Sequence, residues 1–128
     1  MKSWGSSDNT PFNTVHSIVV DKRNRVLVAD RNGGRIHIFD LDGNPIAIWT
    51  HLGNPYALTI TADDKLYVSD GIAERIWIAN AETGDLLGTI EKVKDVHWSS
   101  VDKFGNVYAA SNQSHYLHKY APLTATNQ

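Results

Sequence analysis

The sequence predicts an all-β chain in which one four-stranded unit is written three times. Three observations predict it. The stretch from Val15 to Trp49 reads as four short apolar runs, HSIVV, VLVAD, RIHIF and PIAIW, divided by polar or glycine-containing turns. Such runs are rich in β-branched residues and too short for helices. The pattern then returns at Pro55–Ile90 and, in part, at Val96–Pro122. Finally, no segment keeps apolar residues at i, i+3, i+4 and i+7 for three turns, so helix is not expected.

The copies can be laid over one another. His16, Tyr56 and His97 align at spacings of 40 and 41 residues. So do Val20, Ile60 and Val101, then Val26, Leu66 and Val107, then Val28, Val68 and Ala109. Asp30 meets Asp70, with Ser111 third; Arg35–Ile36 meets Arg75–Ile76, with Tyr116–Leu117 third. Gly43 meets Gly84 once Thr83 is counted as an insertion, which also explains the longer second period.

A period near 40 with four strands per copy is the signature of propeller blades. Blades pack face to face, so their inner strands should be apolar nearly throughout, as IVV, VLVA and LYV are. Lys22–Arg25, Ala62–Lys65 and Lys103–Asn106 are the expected turns between the first two strands, and Gly105 suits the positive φ of such hairpins. Asp42–Gly43 and Thr83–Gly84 join the third strand to the fourth. The 128 residues then divide as 1–14, a strand or loop of an adjoining blade; 15–50, blade 1; 51–92, blade 2; and 93–128, an incomplete blade 3 with a polar tail from Thr124.

Composition narrows the function classes. A net charge of −2 offers no global attraction to nucleic acid or anionic lipid. No apolar run approaches the roughly 20 residues of a membrane span. The N-terminus lacks an apolar segment behind Lys2, so no secretory signal is predicted, and a cytoplasmic location is expected of the chain as it stands. A secreted or periplasmic location would suit a chain trimmed of a leader. The chain has no cysteine, which excludes disulfides and thiolate chemistry.

The stretches HSIVVDKRNRVLVADRNGGRIHIFDLDGNPIAIW, YALTITADDKLYVSDGIAERIWI and HWSSVDKFGNVYAASNQSHYLHKY together resemble the NHL-repeat family of six-bladed β-propellers. The leading WGSSDNTPFN is similar to the last strand and exit loop of a preceding blade, so the resemblance covers nearly the whole chain and suits the C-terminal half of a full ring. WD-type propellers fit less well, because no Gly-His and Trp-Asp signature occurs. Within the family the chain looks most like bacterial propellers related to the peptidylglycine amidating lyase. That resemblance implies a metal, zinc or another divalent ion, held in the channel by histidines that open the first strands. His16 and His97 stand at that position and Tyr56 replaces it in the middle copy, whereas a lyase site resembles a three-histidine cluster. Arg31 and Tyr56 are the nearest matches to the channel arginine and tyrosine of the lyase pattern, with Tyr56 as candidate base acting on a peptidyl-α-hydroxyglycine or similar α-hydroxy amide.

Three blades make half a ring, and a lone half leaves two apolar blade faces bare. Monomers rarely expose patches above about 300–600 Å², and repeat arrays need capped ends. The expected partner is therefore a second copy, in a head-to-tail homodimer that closes six blades, with Ser3–Trp4 of each chain supplying the outer strand missing from the other's third blade. A fragment of a longer propeller is the competing reading.

Each remaining candidate has a plainer reading beside it. His16 and His97 could hydrogen-bond to backbone at the inner edge in place of holding a metal. His115 and His118 fall three apart on an expected strand, pointing to opposite faces, so they do not share an ion; His37 and His51 belong to no constellation. Asp40-Leu-Asp-Gly-Asn starts like a calcium loop, but Pro45 and His51 stand where Gly and Glu would be required, so it reads as a hairpin. Asp30, Asp70, Arg35 and Arg75 recur at equivalent positions and read as structural parts of the repeat: the aspartates accepting backbone or arginine hydrogen bonds in the following turn, the arginines pairing with acids between neighbouring blades. Lys22, Arg23, Arg25, Arg31 and Arg35 make the first copy the most basic, but RNA is an improbable partner at this net charge, although Tyr56, Trp98 and Tyr116 could stack bases. Asn112-Gln-Ser is a glycosylation sequon only in a secreted eukaryotic protein. Gly33–Gly34 is a tight turn, not a phosphate loop. The function expected first is a module binding a small molecule or protein at the channel mouth, then the lyase-like enzyme, then a purely structural unit.

Overall fold

The computed structural model describes residues 1–5 and 11–122. Eleven strands follow in chain order: β1 (Val15–Val20), β2 (Arg25–Asp30), β3 (Arg35–Asp40), β4 (Pro45–Trp49), β5 (Ala57–Ile60), β6 (Lys65–Asp70), β7 (Arg75–Asn80), β8 (Leu86–Ile90), β9 (Val96–Val101), β10 (Val107–Ser111) and β11 (Leu117–Tyr120). They form three antiparallel meanders, β1–β4, β5–β8 and β9–β11. The fold is the all-β array of blades expected, with the third blade three-stranded among the described residues. Residues 1–5 and 11–14 take no strand conformation. The rest of the leading segment (6–10) and the polar tail lie outside the described residues. No helix is long and apolar enough to cross a membrane.

Local chemistry explains why the unit repeats. In the first turn of each blade, Asp21, Thr61 and Asp102 occupy one position and accept hydrogen bonds from the amides of the strand that follows: Arg25, Lys65 and Asn106. Such side-chain caps fix a turn by replacing backbone bonds. The chain must then turn through positive φ at Asn24 (59°), Asp64 (65°) and Gly105 (86°). Asn and Asp are the side chains that tolerate this region best after glycine.

The period-2 alternation of a strand sends its side chains to two faces, and here both faces are apolar. From the first blade, Leu27, Ala29, Ile36 and Ile38 pack against Leu58, Leu66, Val68 and Ala79 of the second. From the second, Tyr67 and Ile76 pack against Val96, Val107 and Ala109 of the third. Each fully buried Leu or Ile contributes about 1.5–3 kcal/mol of transfer free energy. These two interfaces are the core.

Polar ties lock the first joint. The Arg23 guanidinium donates to both carboxylate oxygens of Asp64 at 2.9 Å. Arg25 donates to the carbonyls of Ala81 and Glu82. Most of the basic run is thereby spent on holding two blades together. Trp49, at the end of β4, lies on Gly84, where a Cβ would come 2.7 Å from the indole and φ is +78°. Only glycine suits that seat.

Arg35 and Arg75, expected between blades, pair more locally. Arg35 Nε donates to Asp30 of its own sheet at 3.1 Å, and Arg75 reaches Glu91, in the connector after β8, at 3.3 Å. Register explains this: Asp30 and Arg35 are directly opposite in the β2–β3 ladder, as are Asp70 and Arg75. In the second blade Trp77 takes the bond to Asp70 that arginine takes in the first, and Arg75 instead lies over the Trp77 ring.

Asp30 is wholly buried. It accepts from the amides of Asn13, Thr14 and Gly33 as well as from Arg35. Burial alone would raise its pKa; the amides and the guanidinium overcome that and hold it down to about 2. Because the folded value lies below the unfolded one, the stabilisation is present above the ordinary carboxylate range and is lost as pH falls through about 2. Asp30→Asn should destabilise by about 2–3 kcal/mol at neutral pH, read as a lower urea midpoint with unchanged slope. An unchanged midpoint would remove Asp30 from the frame of the blade.

Candidate functional site

The first strand of each sheet lies on the same side of the array, and β1, β5 and β9 run beside one another. Side-chain oxygens tie them. Ser17 accepts from the Leu58 amide, Thr59 donates to the Ser99 carbonyl, and Ser69 and Ser99 share a hydrogen bond at 2.9 Å. This inner rim is therefore fixed by small polar residues, and the repeat then sets what stands at its end.

At that end the three aligned positions meet. The rings of His16 and His97 are edge to face with centroids 5.0 Å apart; Tyr56 lies 5.7 Å from His16 and 5.4 Å from His97. Arg31, from the turn after β2, places its guanidinium 4.5 Å from the centre of the Tyr56 ring, a cation–π contact. Gly71 is the repeat equivalent of Arg31, and its missing side chain leaves room for Tyr56, whose ring would lie 2.8 Å from a Cβ there. Tyr56 and Gly71, with Asp95, His97, Asn112 and Gln113, line a cavity of about 130 Å³.

The tautomer of His16 follows from its partner. His16 Nδ1 lies 2.5 Å from the Tyr56 carbonyl oxygen, which can only accept, so Nδ1 carries the proton. When the ring is neutral, Nε2 keeps a lone pair for a hydrogen-bond donor or an ion. His97 is pushed below the usual imidazole range by burial first, then by the nearby His16 and Arg31. Arg31 Nε is buried and finds no hydrogen-bond acceptor. A guanidinium nitrogen in that condition normally costs free energy unless a partner is supplied.

Metal ligation is poorly provided for within one chain. Among the described residues no group of three or more His, Cys, Asp or Glu is placed to hold an ion, whereas catalytic zinc ordinarily has three protein ligands. The Arg31 charge beside His97 also disfavours a cation. His115 lies in the turn before β11 at φ +59° and His118 on the strand itself, so they form no pair. His51 Nε2 donates to the Gly84 carbonyl oxygen at 2.7 Å, which can only accept. His37 lies in the buried environment of Asp30, 3.4 Å from its carboxylate.

The surroundings of the cluster were less visible in the sequence. No motif marks Asp95, Asn112 or Gln113 as site residues, yet all three line the cavity. The signal that finds Asn112 is the repeat itself, since it follows β10 as Arg31 follows β2.

Comparison with known proteins bears on this frame. Residues 12–39 match the family model of the NHL repeat. The match runs from Phe12, ahead of β1, to Phe39 in β3 of the first blade. Among solved structures the chain is similar to a protein of unknown function from Bacteroides caccae, at 16% identity and a TM-score of 0.71, covering 81% of this chain and 44% of that one. It is similar to the hydrazine synthase of Kuenenia stuttgartiensis, at 12% identity and 0.74, covering 94% and 36%. It is also similar to virginiamycin B lyase from Staphylococcus aureus, at 13% identity and 0.65, covering 86% and 42%. The chain thus spans less than half the length of each. Identities this low establish a shared fold and carry nothing about activity. No curated protein matches the sequence.

The depressed His97 gives a test of the cluster. The unfolded chain takes up a proton near the ordinary imidazole value while the folded chain does not, so stability falls as pH drops through that range. The urea midpoint should decline from pH 7 to pH 5, and His97→Gln should flatten the decline. An equal slope in both proteins would show that His97 titrates as a free imidazole.

Proposed function

We propose that the chain is a binding module whose inner rim holds a small ligand bearing a carboxylate or phosphate group. The observation that carries this reading is the buried, unpartnered Nε of Arg31 beside two imidazoles. An anionic oxygen supplies the acceptor that Arg31 lacks, and guanidinium is the side chain best suited to that geometry. The lone pair at His16 Nε2 and the polar lining of Asp95, Asn112 and Gln113 suit hydroxyl or amide donors on the rest of the ligand. The cavity beside them, lined by Tyr56 and His97 but not by Arg31 or His16, holds about 130 Å³ and admits only a compact group.

A metal-dependent, lyase-like activity is the second reading, favoured by one feature. His16 donates its Nδ1 proton to backbone and leaves Nε2 outward, as metal-binding histidines do. Two solved lyase structures share the fold, virginiamycin B lyase and a streptogramin B lyase. His16 and His97 of one chain fall short of a three-ligand set, so no catalytic step follows from them; a further ligand would have to come from outside the chain.

Proton–nitrogen NMR separates the readings, with inorganic phosphate, acetate and zinc chloride as probes. The Arg31 Nε–H and the His97 ring signals should shift saturably with phosphate or acetate, and Arg31→Gln should abolish the shift by at least tenfold in affinity. Stoichiometric zinc binding lost in His16→Ala, with no response to either anion, would overturn the anion reading in favour of the metal.

A further inference from the structure

Within the array each blade face is buried wherever a neighbour exists. The face that looks back along the chain is buried in blade 2 through Leu58, Leu66 and Val68, and in blade 3 through Val107 and Ala109. The face that looks forward is buried in blade 1 through Leu27, Ile36 and Ile38, and in blade 2 through Ile76. At the two ends, equivalents of these positions stand in water, except Val26 and Val28, which Trp4 and Phe12 cover. Ile18, equivalent to Leu58, is 60% exposed, and Leu117, equivalent to Ile36 and Ile76, is 72% exposed. Trp98, equivalent to the buried Ala57, and Leu41, equivalent to the buried Ala81, are exposed as well.

The backward face of blade 1 carries one guest already. Trp4 lies on Gly43, where a Cβ would meet the indole at 2.7 Å, as Trp49 lies on Gly84. Trp4 also packs on Phe39, and with Phe12 covers Val26 and Val28. Trp49 ends the outer strand of the blade before Gly84. By the same relation Trp4 stands where the outer strand of a blade before blade 1 would end, and among the described residues blade 3 has no strand beyond β11.

We infer that a second copy of this chain covers both ends, in a head-to-tail dimer of two-fold symmetry. The forward face of blade 3 packs on the backward face of blade 1 of the partner, and residues 1–4 of each chain add to the free edge of β11 in the other. Two observations select this occupant. The two bare faces are the repeat equivalents of faces that already dock on each other twice within the chain, so they are complementary by construction. The charged lock of the first joint is replaced at the ends by uncharged residues: Arg23 corresponds to Phe104, 71% exposed, and Asp64 and Ala81 correspond to Asn24 and Leu41. Closure pairs the open backbone edge of β11 and buries Trp98, Phe104 and Leu117, the anchors expected of such an interface. This inference does not depend on the ligand proposed for the rim.

Light scattering on the purified full chain tests it. The expected mass at micromolar concentration is twice the 14.2 kDa of the chain. Leu117→Asp and Ile18→Asp should each halve the mass with unchanged far-ultraviolet circular dichroism, since both side chains are already exposed within one chain. Mixing the two variants should restore dimers, because one of the two joints is then wild type on both sides. The chain lacks cysteine, so Ser3→Cys combined with His118→Cys gives a clean cross-link. Mild oxidation should yield a covalent dimer and no larger species. A monomeric wild type, a dimer that survives Ile18→Asp while Leu117→Asp dissociates, or a ladder of cross-linked oligomers would each overturn the inference.

Discussion

The structure depends on one constraint: every sheet has two apolar faces, and a sheet with two apolar faces cannot stand alone in water. Helices and one-sided sheets can turn a polar surface to solvent, but strands reading IVV or VLVA cannot. Stacking blade on blade is the arrangement that satisfies them. The strand burials show it, because β2 and β6 are buried over nearly their whole length while the outer strands β4 and β8 are half exposed. Polar chemistry is then confined to places where the stack leaves backbone groups unpaired. Asp30 and Asp70 sit at such places, each gathering amides from the segment entering its blade and from the turn leaving it. A carboxylate with four donors is a better organiser of irregular backbone than water, since it stays where folding puts it.

Much of this was legible because the fold repeats. A single blade read in isolation is an ambiguous meander, but three copies at nearly constant spacing fix which residues are equivalent, and equivalence carries over to space. His16, Tyr56 and His97 were brought together on paper by alignment and are in contact through rings about 5 Å apart. Pairing between unlike positions was not legible in that way. Arg23 to Asp64 and Arg25 to the carbonyls of residues 81 and 82 join different positions of successive copies. No alignment of equivalent residues reveals such contacts, which depend on the stagger between blades. For the same reason Arg35 and Arg75 looked like inter-blade pairs, although the ladder sets each opposite an aspartate of its own sheet.

The site illustrates the difference between a repeat and a function. A propeller-like stack sends one residue from each blade to the same end of the inner rim, and if all were identical they would form a symmetrical structural ring. Here they differ: two imidazoles, one phenol, and in the next tier Arg31, Gly71 and Asn112. Gly71 is the departure that makes the others possible, since a side chain there would displace Tyr56. With Tyr56 in place, Arg31 of the previous blade has a π face to rest on but no acceptor for its Nε. A buried cation held by an aromatic ring is partly compensated, but the missing hydrogen bond is not.

Electrostatics distinguishes the two readings of that rim more sharply than the fold does. A divalent cation would need to bring its own compensation for Arg31, whereas an anion is compensated by it. His97 is depressed first by burial and then by His16 and Arg31, and the guanidinium's share also disfavours a metal ion at the same nitrogen. Closing a ring from two copies would add a second Arg31 and a second pair of imidazoles facing the same channel, with no new carboxylate from the inner rim except Asp95. Field lines converge in a narrow channel with low-dielectric walls, so closing a ring would concentrate the field of each Arg31 and of each Asp95 there alike, while leaving one proton-accepting nitrogen per His16. The ends of the chain and its inner rim are therefore linked: the contacts that hide Leu117 and Ile18 would also set the charge of the channel.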